Sequence, residues 1–311
     1  MARPSGRVSL RKMRSFCQMT EIFQRFGKPL GGCFVVLVLL WLAGMVLVPG
    51  IFMINSSLRP HLPPPLRGGD QDVYLFDNFA YLINHSNHGQ IFLKTVWSSA
   101  LVTMATLLLC YPVAYWLAQV ASKWQMRVML VLMLVPYLMN EVLRGLAWYI
   151  ILALAGPLNA GLMALGLLDE PVRWYGDGGV VAGMAYAYVL FMLFPICNAI
   201  ATLEKDQISA ARDLGSSAWR IHWRIVLPHA KVGVATGCVF VFMMAAGSYV
   251  APALLGAPGS RWFTQIVYEW FFEIGNWNRG AAYGVALMAM CLSVVLGLLA
   301  LFRVNLTSAI K

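Results

Sequence analysis

The chain has 311 residues, 60% of them hydrophobic and 12% charged, with a formal net charge of +10. Soluble domains carry about 25% charged residues, so this composition excludes a soluble globular protein and predicts an all-α polytopic membrane protein. The basic excess forms no basic-aromatic stripe, which excludes nucleic acid as a partner. Six scattered cysteines without a CxxC pair exclude a metal site or disulfide frame.

Residues 1–31 form a basic tail carrying Arg3, Arg7, Arg11, Lys12, Arg14, Arg25 and Lys28. The apolar run 32–54 is longer than the roughly 7–15 residues of a secretory signal core, so an uncleaved first transmembrane helix is expected. Residues 55–92 form an extracytoplasmic loop with a stiff RPHLPPPLR stretch, then Asp70, Asp72 and Asp77. Its half-apolar part, 73–83, is expected to lie along the surface. One membrane domain follows over 93–302, with helices at about 95–119, 128–152, 179–202, 231–255 and 281–302, and then a tail at 303–311. About 20 residues at 1.5 Å each cross a bilayer core, and the lack of period-2 alternation selects helices over a barrel. Pro136, Asn140, Glu141 and Arg144 interrupt the third run and predict a kink or break.

With the amino tail inside, cytoplasmic segments hold 16 of the 23 Lys and Arg, and 9 of the 13 acids fall towards the outside. Both termini are therefore expected in the cytoplasm, and the basic excess reflects topology and contact with anionic lipid.

Between the fourth and fifth of these six runs lies a polar island, 204–228, EKDQISAARDLGSSAWRIHWRIVLP. Asp206 is expected to cap a short helix through Leu214, with Gly215 in the left-handed position that ends it. Ser217 is expected to cap a second helix through Ile225, and Pro228 to force a turn before the fifth run. The product is a compact knob. An amphipathic segment on lipid headgroups would account for Trp219, Trp223, Arg220 and Arg224. It would not account for a glycine at fixed offsets from Ala210-Ala211 and from Ile225-x-Leu227-Pro228.

That layout resembles the EAA loop of ABC-importer permeases: Glu-Ala-Ala, three residues, Gly, nine residues, Ile-x-Leu-Pro. Ala210, Ala211, Gly215, Ile225, Leu227 and Pro228 match at the family's spacing. Ser209 stands where the family has Glu, so an acidic contact there falls to Asp213 or Glu204. Further strings, among them CYPVAYWLA (110–118), GPLNAGLMALGL (156–167) and GSYVAPALLGAP (247–258), resemble the spermidine/putrescine permeases. Ser248 stands where those proteins carry an acid, which counts against a dicationic substrate.

The resemblance implies a six-helix fold of the type I importer permeases and a non-catalytic subunit that translocates a small organic solute, a polyamine first. An amino acid-like or opine-like solute is the alternative. It implies a cytoplasmic ABC ATPase dimer, a second permease (a paralogue), an extracytoplasmic solute-binding protein and membrane lipid as partners. Ser209, Ala210, Ala211, Asp213, Gly215, Ile225, Leu227 and Pro228 would then couple to the ATPase.

No P-loop, G-x-S-x-G or H-E-x-x-H motif occurs, so no cofactor, metal or catalytic residue is expected. An ion-coupled secondary transporter, the rival class, predicts intramembrane carboxylates and paired repeats, and Glu141 is the one candidate. Glu141 and Arg144 are three apart on one helical face. They form either a salt bridge at the outer helix end, the simpler expectation, or a cavity-lining pair. With Tyr137, Tyr188, Ser248 and Tyr249 they make up the candidate translocation path. Trp148, Tyr186, Trp270 and Trp277 offer further rings to a cation, although such residues more commonly form the interfacial belt.

The charge split predicts that, in a cysteine-free background, a membrane-impermeant thiol reagent applied to intact cells reaches a probe at Gly69 and misses one at Ser216. Labelling at Ser216 would invert the topology.

Overall fold

The computed structural model describes residues 29–66 and 68–302. The expectations for residues 1–28, for Arg67 and for 303–311 lie outside the described residues. The chain divides after Ser56 into two units.

Helix α1 (Pro29–Ser57), all but its last residue in the first unit, is apolar along its length and most of its side chains are exposed. A π-turn over Ala43–Leu47 ends two residues before Pro49. Proline lacks an N–H and clashes with the carbonyl four residues back; a wider turn relieves that clash.

The second unit opens on α2 (Asp77–Asn84), tied down by Asn78, whose Nδ2 donates to the Ser57 and Arg59 carbonyls at 2.9 Å each. Next come α3 (Ser86–Val120), α4 (Lys123–Leu138), α5 (Glu141–Leu152) and α6 (Pro157–Ala164). They are followed by α7 (Asp177–Ala187), α8 (Val189–Ala201), α9 (Lys205–Asp213) and α10 (Ala218–Gly247). The short α11 (Val250–Leu255) and α12 (Phe263–Tyr268) precede α13 (Trp277–Leu301). Among the described residues five stretches are long and apolar enough to cross a membrane, or six if the bent pair α7–α8 is one span. There is no strand among them.

The apolar runs continue further, and break more often, than hydropathy predicts. The second span begins at Ser86 rather than near 95. The third run is two helices, α4 and α5, separated where the Asn140 side chain accepts from the Val142 N–H at 2.8 Å and caps α5. The fourth bends by 48° at Tyr188. The fifth ends at Gly247, and α11 restarts after Ser248 and Tyr249.

The core is the packing of α10 on α8 and α3. Gly233 and Gly237, four apart, lie on α10 against α8. A Cβ on Gly233 would run into the Pro195 carbonyl oxygen and within 2.6 Å of the Ala199 Cβ; one on Gly237 would come within 2.7 Å of the Met192 sulfur. Small residues let backbones approach closely, which lets dispersion hold helices together in lipid. On α3, Thr95, Ser99, Thr103 and Thr106 are buried but satisfied, each hydroxyl donating to the carbonyl four residues back at 2.7–2.9 Å.

Gly233→Leu is expected to lower the thermal midpoint of the detergent-solubilised protein, with an overpacking cost of about 1–3 kcal/mol or more. Gly297→Leu, where nothing lies within 4 Å of an added Cβ, is expected to leave the midpoint unchanged. Equal midpoints for both variants would refute the tight α8–α10 contact.

Candidate functional site

Two places concentrate the residues singled out in the sequence. The first is the knob formed by α9 and the start of α10. Glu204 occupies the cap position of α9, and Asp206 falls in the first turn instead, where its charge favours the helix N-terminus. Helix α9 ends in a full Schellman motif. The Gly215 N–H donates to the Arg212 carbonyl at 2.9 Å, the Ser216 N–H donates to that of Ala211 at 3.0 Å, and Gly215 has φ +76°. Ser217 then caps α10, its hydroxyl accepting from the Arg220 N–H at 3.4 Å.

The expected turn at Leu227 is absent. Leu227 is helical (φ −65°, ψ −45°), and the second half of the knob runs without interruption into the membrane helix. A π-turn over His222–Val226 again ends two residues before a proline, Pro228. It removes the steric reason for a turn, as at Pro49. The knob and α10 are therefore one rigid rod with a reversal at Gly215.

Ile208, Ile221 and Val226 anchor the knob, at 6%, 3% and 0% exposure. Ala211, Ile225 and Leu227 are half-buried, while Ser209, Ala210, Asp213 and Pro228 are exposed. Leu214, Trp219 and Trp223 are 86%, 73% and 54% exposed, so the knob presents apolar surface beside the small Ala210. His222, not foreseen from the sequence, ties the rod to α3: its Nδ1 lies 3.2 Å from the Tyr111 hydroxyl and its ring packs edge-on against Tyr115. A contact between residues 111 apart leaves no local signal.

The second place is where three helix breaks meet. Glu141 begins α5, Tyr188 marks the α7–α8 bend, and Ser248 follows α10. The Ser248 hydroxyl donates to Glu141 Oε1 at 3.4 Å, and the Tyr188 hydroxyl donates to the Met244 carbonyl at 3.4 Å. Glycines permit the convergence: a Cβ on Gly145 or Gly183 would come within 2.7 Å of Leu254 or 2.6 Å of Leu255, so α11 nests against α5 and α7. Gly145 and Gly183, passed over in the sequence reading, lie inside apolar runs, and that place is the signal that could have pointed to this convergence.

Glu141, Arg144 and Tyr188 line a pocket of about 20 Å³, room for about one water. Arg144 also lines an adjoining cavity of about 270 Å³, walled by Tyr137, Tyr186 and Leu190. The expected salt bridge is not formed: among the described residues no ion pair joins Glu141 to Arg144. Tyr249 points elsewhere, its ring stacked on Tyr268 at 4.7 Å. Trp270 is buried and already has a cation, with the Arg279 guanidinium 5.1 Å from its ring and 3.9 Å from that of Tyr81.

Residues 108–305 match the family described as "Binding-protein-dependent transport system inner membrane component". The chain is 29% identical over 268 residues to the "Spermidine/putrescine transport system permease protein PotB" of Escherichia coli (strain K12), covering 86% of this chain and 94% of that one. It is 27% identical over 255 residues to the "Inner membrane ABC transporter permease protein YdcU" of the same organism, covering 72% and 80%. Its fold is similar to a chain in the crystal structure of a bacterial ABC transporter involved in the import of the acidic polysaccharide alginate. The TM-score is 0.71 at 17% identity, over 92% of this chain and 98% of that one. The chain belongs to the binding-protein-dependent inner membrane component family, and is a multi-pass inner-membrane permease of the ABC importer type.

Proposed function

We propose that the chain is the permease subunit through which an ATP-driven importer admits a small organic cation, with a polyamine such as putrescine or spermidine as substrate. The observation that carries the coupling half of this reading is the knob. It is a helix closed by a Schellman turn and set on a rod that continues into the most tightly packed membrane helix. A partner ATPase dimer supplies ATP hydrolysis from the cytoplasmic side, the side on which the positive-inside rule would put this loop and both termini. A second permease, a paralogue, completes the pathway, and an extracytoplasmic binding protein delivers the solute.

Moving a two-state gate from 1:99 to 99:1 takes about 5.5 kcal/mol of differential binding. A rod without a hinge passes such a bias to α8 and α3; a flexible loop would dissipate it. Ala210 gives close approach, Leu214, Trp219 and Trp223 supply apolar area for docking, and Asp213 supplies the acidic contact where Ser209 cannot. Ala211, Gly215, Ile225, Leu227 and Pro228 hold the shape. The substrate half rests on similarity to the spermidine/putrescine permease and on a carboxylate, Glu141, beside a cavity with tyrosine walls. Rings and carboxylates both favour ammonium groups.

Competition for uptake tests the substrate: putrescine and spermidine are expected to displace the transported label, whereas competition only by amino acids or anionic solutes would refute the cation. Coupling is tested by Gly215→Glu. Leaving glycine at φ +76° costs about 1 kcal/mol or more. A charge forced into the ATPase contact costs several kcal/mol, about 3–5, of docking. Normal membrane insertion, loss of ATPase co-purification and loss of uptake are expected, with Gly69→Ala as an inert control. Parental transport by Gly215→Glu would remove the knob from the coupling path.

A further inference from the structure

We propose that α3 is the strut that carries movement of the knob to the bend at Tyr188, and that Gln119 is the positioning residue that fastens the knob to it. This deepens the coupling half of the reading above and rests on it. Three polar ties on α3 carry the inference, all within residues 110–119, about 14 Å of helix. Gln119 lies in the π-turn Trp116–Val120 that ends α3, and is 9% exposed. Its Nε2 donates to the carbonyls of Ile200 at 2.9 Å and Leu203 at 3.1 Å. Both N–H bonds of the amide are thereby used on the last turn of α8 and the link into α9, where a helix runs out of donors of its own. On the other limb of the knob, the Tyr111 hydroxyl lies 3.2 Å from His222 Nδ1. One residue away on α3, the Cys110 Sγ donates to the Val189 carbonyl at 3.4 Å, immediately after the bend.

One helix therefore holds the entry to the knob, the exit from it and the bend. The apolar packing runs the same way. Leu117, Ile200, Leu203, Ile208 and Ile221 belong to one buried cluster, so the base of the knob extends the membrane core. A push on the knob has two routes inward. Along α10 it meets the close contact with α8 at Gly233 and Gly237, which is packed too tightly to yield. Through Gln119 and Tyr111 it reaches α3, which hands it to Val189. A buried amide gripping two carbonyls is a stiff joint, because breaking either bond leaves polar groups without partners away from water. Single π-turns are frequent at functional sites, and this one sits at the joint. The 48° bend is where the push can be taken up, since α7 and α8 can change their angle there with both helices intact.

The test uses the complete importer, with its ATPase, second permease and binding protein, reconstituted in liposomes. A probe cysteine, Ala187→Cys, is placed at a half-buried position beside the bend. The chain's own cysteines are replaced by serine, so position 110 keeps a donor. Modification of the probe by a small thiol reagent is timed without nucleotide and with ATP trapped by vanadate. In the parental complex the two rates are expected to differ at least about fivefold. Gln119→Met keeps the volume and removes both donors. In it the difference is expected to vanish while the ATPase still co-purifies. Labelled putrescine imported per ATP hydrolysed is expected to fall about tenfold, a ratio that mere loss of folded complexes would leave alone. Tyr111→Phe is expected to lower the same ratio. If Gln119→Met yields no assembled complex, Tyr111→Phe decides by both readouts. A parental rate indifferent to ATP, a full rate difference in Gln119→Met, or an unaltered ratio would overturn the strut. If the parental complex imports no putrescine, the substrate reading fails and the labelling rates decide the strut by themselves. Parental transport by Gly215→Glu would instead overturn the knob reading, and the strut with it.

Discussion

Everything in this fold answers to one constraint: in a medium without water, every main-chain N–H and C=O must find a partner inside the protein. Continuous helices meet it locally, so wherever a helix stops within an apolar run some other group must step in. At the α4–α5 break that group is the Asn140 side chain. At the α10 break the Ser248 carbonyl accepts from the Thr264 hydroxyl at 2.7 Å. At the start of α12 the Phe263 N–H donates to the Thr95 hydroxyl at 2.9 Å. Breaks satisfied in this way bring polar side chains with them, and this is how a chain so poor in charge collects a carboxylate, a guanidinium and hydroxyls in one place.

The same constraint explains how the chain handles proline. A proline inside a membrane helix deprives one carbonyl of its donor and crowds it. Before Pro49 and Pro228 the helix widens to a π-turn that ends two residues earlier, and then continues. The consequence at Pro228 is mechanical. A turn there would have isolated the knob from the membrane helix; a π-turn leaves them one body, with the single reversal at Gly215. His222 lies in the widened turn, where it reaches Tyr111 and Tyr115 of α3. The knob proposed to meet the ATPase is thereby fastened to α3 as well as to α10.

Close packing and local breaks cooperate. Gly233 and Gly237 bring α10 against α8 below the bend at Tyr188, while Gly145 and Gly183 bring α11 against α5 and α7 above it. Between these two tight contacts lies Tyr188, whose hydroxyl reaches back to α10 at Met244. A rigid seam beside a set of broken helices is a sound arrangement for a moving part, because rearrangement can concentrate at the breaks while the seam holds.

By itself the sequence determined the all-α membrane class, the apolar runs, and the knob with its helix end at Gly215. Each rests on local rules: hydropathy over about 20 residues, side-chain caps, and the conformational freedom of glycine. The family resemblance followed from spacing within 25 residues, 204–228. Tertiary structure alone decided the rest. Asn140 and Glu141 were legible as an interruption, but not as the cap and first residue of a new helix. The turn expected at Pro228 gave way to a π-turn whose N-terminal residue, His222, packs on α3. The salt bridge expected between Glu141 and Arg144 gave way to a hydrogen bond from Ser248, 107 residues along the chain. Local propensity cannot register such choices, because the competing partners become neighbours only after glycine contacts far apart in sequence have brought the helices together.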